Sequence, residues 1–231
     1  MNKLYFVFII LSLIFVKSIF GQSKVAITID DVPNTSKFER DHFNSALLTK
    51  LDSLNIPISI YSNEGLIYKT EHISKNFDLL NQWAKREYIH LGNHTFSHSR
   101  YSEVGLDSFA IDIDKGEAII KELSKHYRKQ LTYFRFPYND LGKDSIQQIK
   151  IKNLLHNKGY TIAPFTIESS DWIFNYLYEY YLKNNQKGKA IRIANSYIEL
   201  TMDYFAFFDS VAINQYGKKI KQIYLCHDNS I

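Results

Sequence analysis

Short β-branched runs alternate with longer amphipathic stretches along most of this chain. Lys24-Val-Ala-Ile-Thr-Ile29 is apolar or β-branched at nearly every position and stops at Asp30-Asp31-Val32-Pro33, which predicts a buried strand followed by a turn. From Ser36 to Leu54 the apolar residues Phe43, Leu47, Leu48, Leu51 and Leu54 fall at helical spacing, and Ile56 to Tyr61 follows as a second strand. The pattern then repeats. An amphipathic stretch from Phe77 to Arg86 leads to a strand at Tyr88–Leu91, and a long helix over Leu106–Arg128 leads to a strand at Thr132–Phe136. A helix over Ser145–Asn157 leads to a strand at Tyr160–Ala163. Such alternation predicts a parallel sheet with helices packed outside it, an α/β barrel or layered sheet. Between Trp172 and Gln222 the alternation gives way to a 3.6-residue period carried by Ala190, Ile193, Ala194, Tyr197, Ile198, Thr201, Tyr204, Phe205 and Phe208. This predicts a helical insertion at about 173–221. The tyrosines just before it, Tyr176, Tyr178, Tyr180 and Tyr181, suit either a sugar cleft or helix–helix packing.

Composition narrows the class without choosing a partner. The chain has 231 residues, 45% hydrophobic and 15% aromatic, enough for one sizeable core. The net charge of +4 is small and evenly spread, so it predicts no nucleic-acid partner. Lys3 precedes an apolar run from Leu4 to Val16, shorter than the roughly 20 residues of a spanning helix. With the small Gly21 after it, this predicts a cleaved signal peptide at 1–21, a secreted or periplasmic mature protein, and no stable membrane span. The single Cys226 cannot form an internal disulfide.

The candidate chemistry begins with His94-Thr-Phe-Ser-His98, two imidazoles four residues apart, which on a helical turn would point to one side and share a metal ion. No Glu stands between them, so the pair is not a thermolysin-type protease motif and a base must come from elsewhere. Asp30 and Asp31 can supply it, because both lie where a buried strand runs out, the edge at which α/β sites assemble. Successive strand residues face opposite ways, so these two carboxylates cooperate only if the chain turns there. One carboxylate with two imidazoles leaves open positions on a metal for water and substrate.

Five ordered segments carry a family resemblance. Thr28-Ile-Asp30-Asp31-Val-Pro33, His94-Thr-Phe-Ser-His98, Arg135-Phe-Pro137-Tyr138, Ser169-Ser-Asp171-Trp172 and Ile223-Tyr-Leu225-Cys-His227 resemble the five motifs of the polysaccharide deacetylases of carbohydrate esterase family 4, the NodB-homology group. They span residues 28 to 227 in the family's order. Val32 stands where the family usually has Gly, and Glu168 where it commonly has Asp.

The resemblance implies a distorted (β/α) barrel of the NodB type, occupying 22–231 with the helical insertion. Because the fifth motif ends four residues before Ile231, it also implies a barrel incomplete at its C-terminus and a chain truncated after 231. It implies a divalent metal held by Asp31, His94 and His98. Zinc suits these ligands, and cobalt, nickel, manganese or iron could occupy them. Asp30 would be the general base and Arg135 its ion-pair partner. His227 would be the acid, with Asp171 raising its pKa, and the backbone N–H of Tyr138 would help hold the oxyanion. Trp172 and Leu225 would wall the acetyl pocket. The implied activity is removal of N-acetyl groups from N-acetylglucosamine-containing polysaccharides, chitin oligomers or peptidoglycan. An O-acetyl esterase acting on xylan-type glycans and a catalytically silent glycan-binding protein stand as alternatives. Oligomeric state is left open.

Overall fold

The computed structural model describes residues 23–231, and the leader at 1–21 lies outside the described residues. Seven strands form one sheet: β1 (Val25–Val32), β2 (Ile58–Ser62), β3 (Ile89–Asn93), β4 (Leu131–Phe134), β5 (Thr161–Ile162), β6 (Ile167–Glu168) and β7 (Gln222–His227). Their spatial order is β5-β4-β3-β2-β1-β7-β6, and every pairing is parallel. All strand C-termini therefore open on one edge, where a parallel sheet assembles its site. Residues 161–168 pair with β4 at their start and with β7 at their end, so one stretch of chain supplies both outer strands. The sheet curls into a partial barrel with its seam between β5 and β6, the distorted (β/α) architecture expected.

Among the described residues, eight α-helices accompany the strands: α1 (Thr35–Arg40), α2 (Ala46–Leu54), α3 (Ile73–Ala84), α4 (Tyr101–Lys115), α5 (Ala118–His126), α6 (Ser145–Asn157), α7 (Asp171–Lys183) and α8 (Lys187–Tyr216). The α6 boundaries coincide with the sequence expectation. Two expected helices are each broken in two. The 36–54 segment divides where His42 and Phe43 take left-handed backbone, and Ser45 then caps α2 by accepting the Leu48 N–H. The 106–128 segment divides at Gly116, which presses on the Thr95–Phe96 backbone so closely that a Cβ there would lie 2.3 Å from the Thr95 carbonyl carbon. Strand β6, two residues long, shows no alternation that could announce it.

The core comprises two buried clusters. On α3, Leu79, Leu80 and Trp83 are fully buried and pack with Ile29, Ile60 and Leu91 from β1, β2 and β3. Burying each such side chain contributes about 1.5–3 kcal/mol. A second cluster joins Phe109, Phe134, Phe136, Leu155 and Tyr160. The 173–221 segment forms most of the α7–α8 hairpin, whose two helices pack against each other. Helix α8 is tied to the barrel by Phe205 against Tyr224, by the Tyr197–Tyr224 hydroxyl pair at 2.6 Å, and by Thr201 donating to Ser169 at 2.9 Å. Among the described residues no helix is long and apolar enough to cross a membrane.

Candidate active site

The two aspartates lie inside β1 rather than beyond it. The β1–β2 register breaks between Ile29 and Val32, and Asp31 takes a left-handed backbone with φ 55°. This bulge re-aims Asp31 so that both carboxylates reach one cleft. The left-handed step falls on Asp31 itself, so Val32 in place of the family's Gly leaves the turn intact. Asp30 is registered opposite His227 on β7 and is buried. The Arg135 guanidinium donates to Asp30 Oδ1 at 3.2 Å, to Thr28 Oγ1 at 3.0 Å and to the carbonyls of Ala163 and Pro164, with the Tyr61 ring 4.3 Å away. Arg135 thus fixes the base candidate and stitches β1 to the seam segment in one set of bonds. Burial pushes the Asp30 carboxyl above the usual carboxylate range, against the opposing pull of His94 and Arg135.

His94 and His98 do converge, but not on a helical turn. Residues 94–98 form an irregular loop after β3, with Thr95 at φ 66° and His98 at φ 55°. Two left-handed steps bring the rings to 4.9 Å between centroids. Several bonds hold this loop. The Thr95 N–H donates to Asn93 Oδ1, the His98 N–H to Thr95 Oγ1, and the Ser97 N–H to both oxygens of buried Asp112 at 3.0 and 3.2 Å. His94 Nδ1 lies 2.8 Å from the Arg135 carbonyl, which can only accept, so Nδ1 carries the proton and Nε2 presents its lone pair to the cleft.

One ligand atom each from Asp31, His94 and His98 lie within 4.8 Å of one another, with His98 Nε2 3.5 Å and His94 Nε2 3.9 Å from Asp31 Oδ1. That oxygen is buried and has no hydrogen-bond partner among the described residues. Burial lowers the His98 pKa to about 4, which keeps the ring neutral as a ligand must be, whereas the imidazoles of His94 and His98 outweigh burial and lower that of Asp31. Two imidazoles facing an orphaned carboxylate oxygen fit a divalent cation.

On the other wall, Asp171 opens α7 and is buried. It accepts from His227 Nδ1 at 2.8 Å, the His227 backbone N–H at 2.7 Å and Asn229 Nδ2 at 2.8 Å. Desolvation would depress His227, but the hydrogen bond and charge of Asp171 prevail and raise its pKa to about 9. Tyr138, Trp172 and Leu225 line the same cleft of about 730 Å³, Leu225 buried and Trp172 standing 61% exposed at the rim.

All ten expected site residues therefore meet at this one edge of the sheet. The cleft also takes in Asn34, Arg100, Phe165 and Asp228, which the sequence did not single out, and Glu168, noted there as standing where the family commonly has Asp. Arg100 lies over the Tyr138 ring at 3.9 Å, and Asp112 clamps the His loop. Asp112 carries a legible signal, a carboxylate on the apolar side of its helix beside Phe109 and Ile113; Arg100 carries none. None of Tyr176, Tyr178, Tyr180 and Tyr181 lines this cleft. Tyr178 borders a separate groove with Lys37 and Arg40, and Tyr181 lies under Lys189.

Three side chains grouped as a metal site needs, Asp31, His94 and His98, thus stand with an arginine-held carboxylate and a carboxylate-held histidine at the C-terminal edge of a curled parallel sheet, the fold class being an α/β barrel. The polysaccharide deacetylase family model matches residues 17–156, and the chain belongs to that family. It is similar to a peptidoglycan-N-acetylglucosamine deacetylase of Bacillus cereus, 23% identical over 153 residues that cover 66% of this chain and 48% of that protein. The chain thus spans about half the length of this relative. Among solved structures, a family 4 carbohydrate esterase pseudoenzyme of Bacillus anthracis aligns with TM-score 0.57 and 11% identity, over 91% of this chain and 56% of that one. A family 4 carbohydrate esterase of Streptomyces lividans, solved with acetate, aligns with TM-score 0.51 and 18% identity, over 90% and 80%. At these identities the two structures speak to the fold.

Proposed function

We propose that this chain is a secreted, metal-dependent polysaccharide deacetylase that hydrolyses the N-acetyl groups of N-acetylglucosamine-containing glycans, peptidoglycan or chitin oligomers. The observation that carries this reading is the meeting of Asp31, His94 and His98 with the Asp30–Arg135 and Asp171–His227 pairs in a single cleft. Asp31, His94 and His98 would hold the cation, for which zinc is the first candidate. When bound there, a divalent cation polarises a carbonyl and makes water nucleophilic near neutral pH.

The chain's own residues supply the proton transfers. Asp30, kept in place by Arg135, takes a proton from the attacking water as its oxygen bonds to the acetyl carbon. The Tyr138 backbone N–H donates to the carbonyl oxygen as it gains negative charge. His227, protonated at neutral pH because Asp171 faces it, gives its proton to the departing nitrogen as the C–N bond breaks. Acetate and a free amine on the sugar result. Leu225 and Trp172 bound the space for the acetyl methyl and exclude water from it. Family membership supports an acetylated glycan as substrate, and the peptidoglycan deacetylase relative favours the N-acetyl group over an O-acetyl ester. Secretion rests on the leader at 1–21.

Acetate release tests this reading. Protein loaded with zinc is offered chito-oligosaccharides, peptidoglycan and acetylated xylan side by side, with His94→Ala as control. Release from the first two, lost in the control and in chelator, supports it. Release from xylan alone replaces it with the esterase reading, and glycan binding without any release replaces it with a silent binding protein.

A further inference from the structure

Helix α7 leaves the cleft with an aromatic stripe of which the proposed reaction uses only the first ring, Trp172. Its first residue, Asp171, holds His227, and its second, Trp172, lines the cleft. Four and eight residues on, Tyr176 and Tyr180 lie on the same side of the helix. The three rings are 61%, 70% and 51% exposed. The other aromatic residues of α7 are less exposed: Phe174 packs on Tyr197 of α8, Tyr178 borders the Lys37–Arg40 groove, and Tyr181 lies against Lys189 and edge-on to Tyr180 at 5.4 Å. The three exposed aromatic rings of α7 thus fall on one side of the helix.

We propose that Trp172, Tyr176 and Tyr180 form a stacking platform on which a β-1,4-linked glycan chain continues beyond the sugar held in the cleft. This rests on the glycan reading above. Three observations select that occupant. The stripe is continuous with the cleft through Trp172, so a chain with one sugar at His227 would pass onto α7 as it leaves. Successive rings are about 6 Å apart along the axis, close to the length of one sugar in an extended chain. All three residues have a flat apolar face with a polar tip, which suits the apolar faces and ring hydroxyls of sugars better than it suits lipid tails or an aliphatic protein surface. The platform makes the enzyme prefer long chains without touching the reacting atoms, so Tyr176 and Tyr180 are binding residues only.

The test compares wild type with the double variant Tyr176→Ala/Tyr180→Ala, using N-acetylglucosamine dimer and hexamer. Binding is read by calorimetry and activity by acetate release. Wild type should bind the hexamer more tightly than the dimer. The double variant should lose about 5- to 10-fold in hexamer affinity and raise KM for the hexamer to match, with the dimer unchanged. Tyr176→Phe/Tyr180→Phe, which keeps the rings, should restore hexamer binding, and Ile191→Ala/Met202→Ala on the exposed side of α8 should change nothing.

Loss of length-dependent binding in the double variant, with no acetate released by wild type, would uphold the platform while removing the enzymatic reading. Equal hexamer binding by wild type and double variant overturns the platform whether or not acetate is released. So does a wild type that binds neither oligomer. A double variant that keeps hexamer binding but loses attachment to anionic phospholipid vesicles, or loses self-association on sedimentation, reassigns the stripe to a membrane or to a second copy.

Discussion

His98 and His227 face the same cleft from opposite walls and are tuned in opposite directions. His98 sits on an irregular loop among other imidazoles, and burial holds its pKa at about 4. His227 ends a regular strand with its Nδ1 against buried Asp171, and that partner raises its pKa to about 9 despite burial. The difference lies in what the second ring nitrogen or nearest carboxylate does. A histidine kept neutral is free to be a ligand, and one kept charged is ready to give a proton. The two walls also differ in backbone. The ligand wall takes left-handed backbone at Asp31, Thr95 and His98, whereas the acid wall is a strand end meeting the first turn of a helix with a single left-handed residue, Ser170, at its cap. Non-glycine residues in that conformation carry strain, so the ligand wall depends on the bonds that clamp it.

The largest effect breaks the ligand wall outright. His94→Ala should lower metal affinity by at least ~100-fold and abolish acetate release, read by elemental analysis after dialysis together with an activity assay. Next come the proton carriers. Asp30→Asn and His227→Gln should each reduce kcat by about 10²–10⁴-fold while leaving metal content at the wild-type level. Wild-type metal content combined with lost turnover is what separates these two from the ligands.

Asp171→Asn sharpens the comparison, because it removes what makes His227 unlike His98. Wild-type activity should fall as pH rises through about 9, where His227 loses its proton. In the variant this alkaline limb should move down to or below the ordinary histidine range near 6.5, with kcat at pH 8 reduced about 10- to 100-fold. An unmoved limb would mean that another group carries the proton.

The smaller effect concerns stability in metal-free protein. A pKa raised in the folded state stabilises fully below the unfolded value of 6.5, and that stabilisation is lost as pH rises through about 9, so His227 makes stability decline over this window. His98, lowered to about 4, acts with the opposite sign: the unfolded chain takes up the proton first, so stability rises with pH from about 4 to 6.5. Each contribution is on the order of 3 kcal/mol. Denaturant melts of His227→Gln should show a shallower decline between pH 6.5 and 9 than wild type.

The legible part of the molecule was what local pattern and short motifs can carry. The β-branched run before Asp30 and the helical period over Ser145–Asn157 mark elements directly, and the ordered motifs contain all ten expected site residues, which gather at one edge of the sheet. What stayed hidden was set by contacts between distant segments. Gly116 breaks the 106–128 helix because it must press on the Thr95–Phe96 backbone, a neighbour that no window of sequence around it contains. The His pair resembles a helical turn by spacing alone, yet Thr95 and His98 adopt left-handed backbone held by Asn93 and Asp112. Strand β6 exists because 167–168 reach β7, not because two residues have a pattern. The four tyrosines after Trp172 divided by helix face, which depends on where α8 and α1 pack.

The most direct test is acetate release from N-acetylglucosamine oligomers by zinc-loaded protein, measured in parallel for wild type, His94→Ala and Asp30→Asn. The account predicts release by wild type that is removed by chelator and restored by added metal, with neither variant active and only His94→Ala depleted of metal. Full wild-type release in chelator, or undiminished release by either variant, would contradict it.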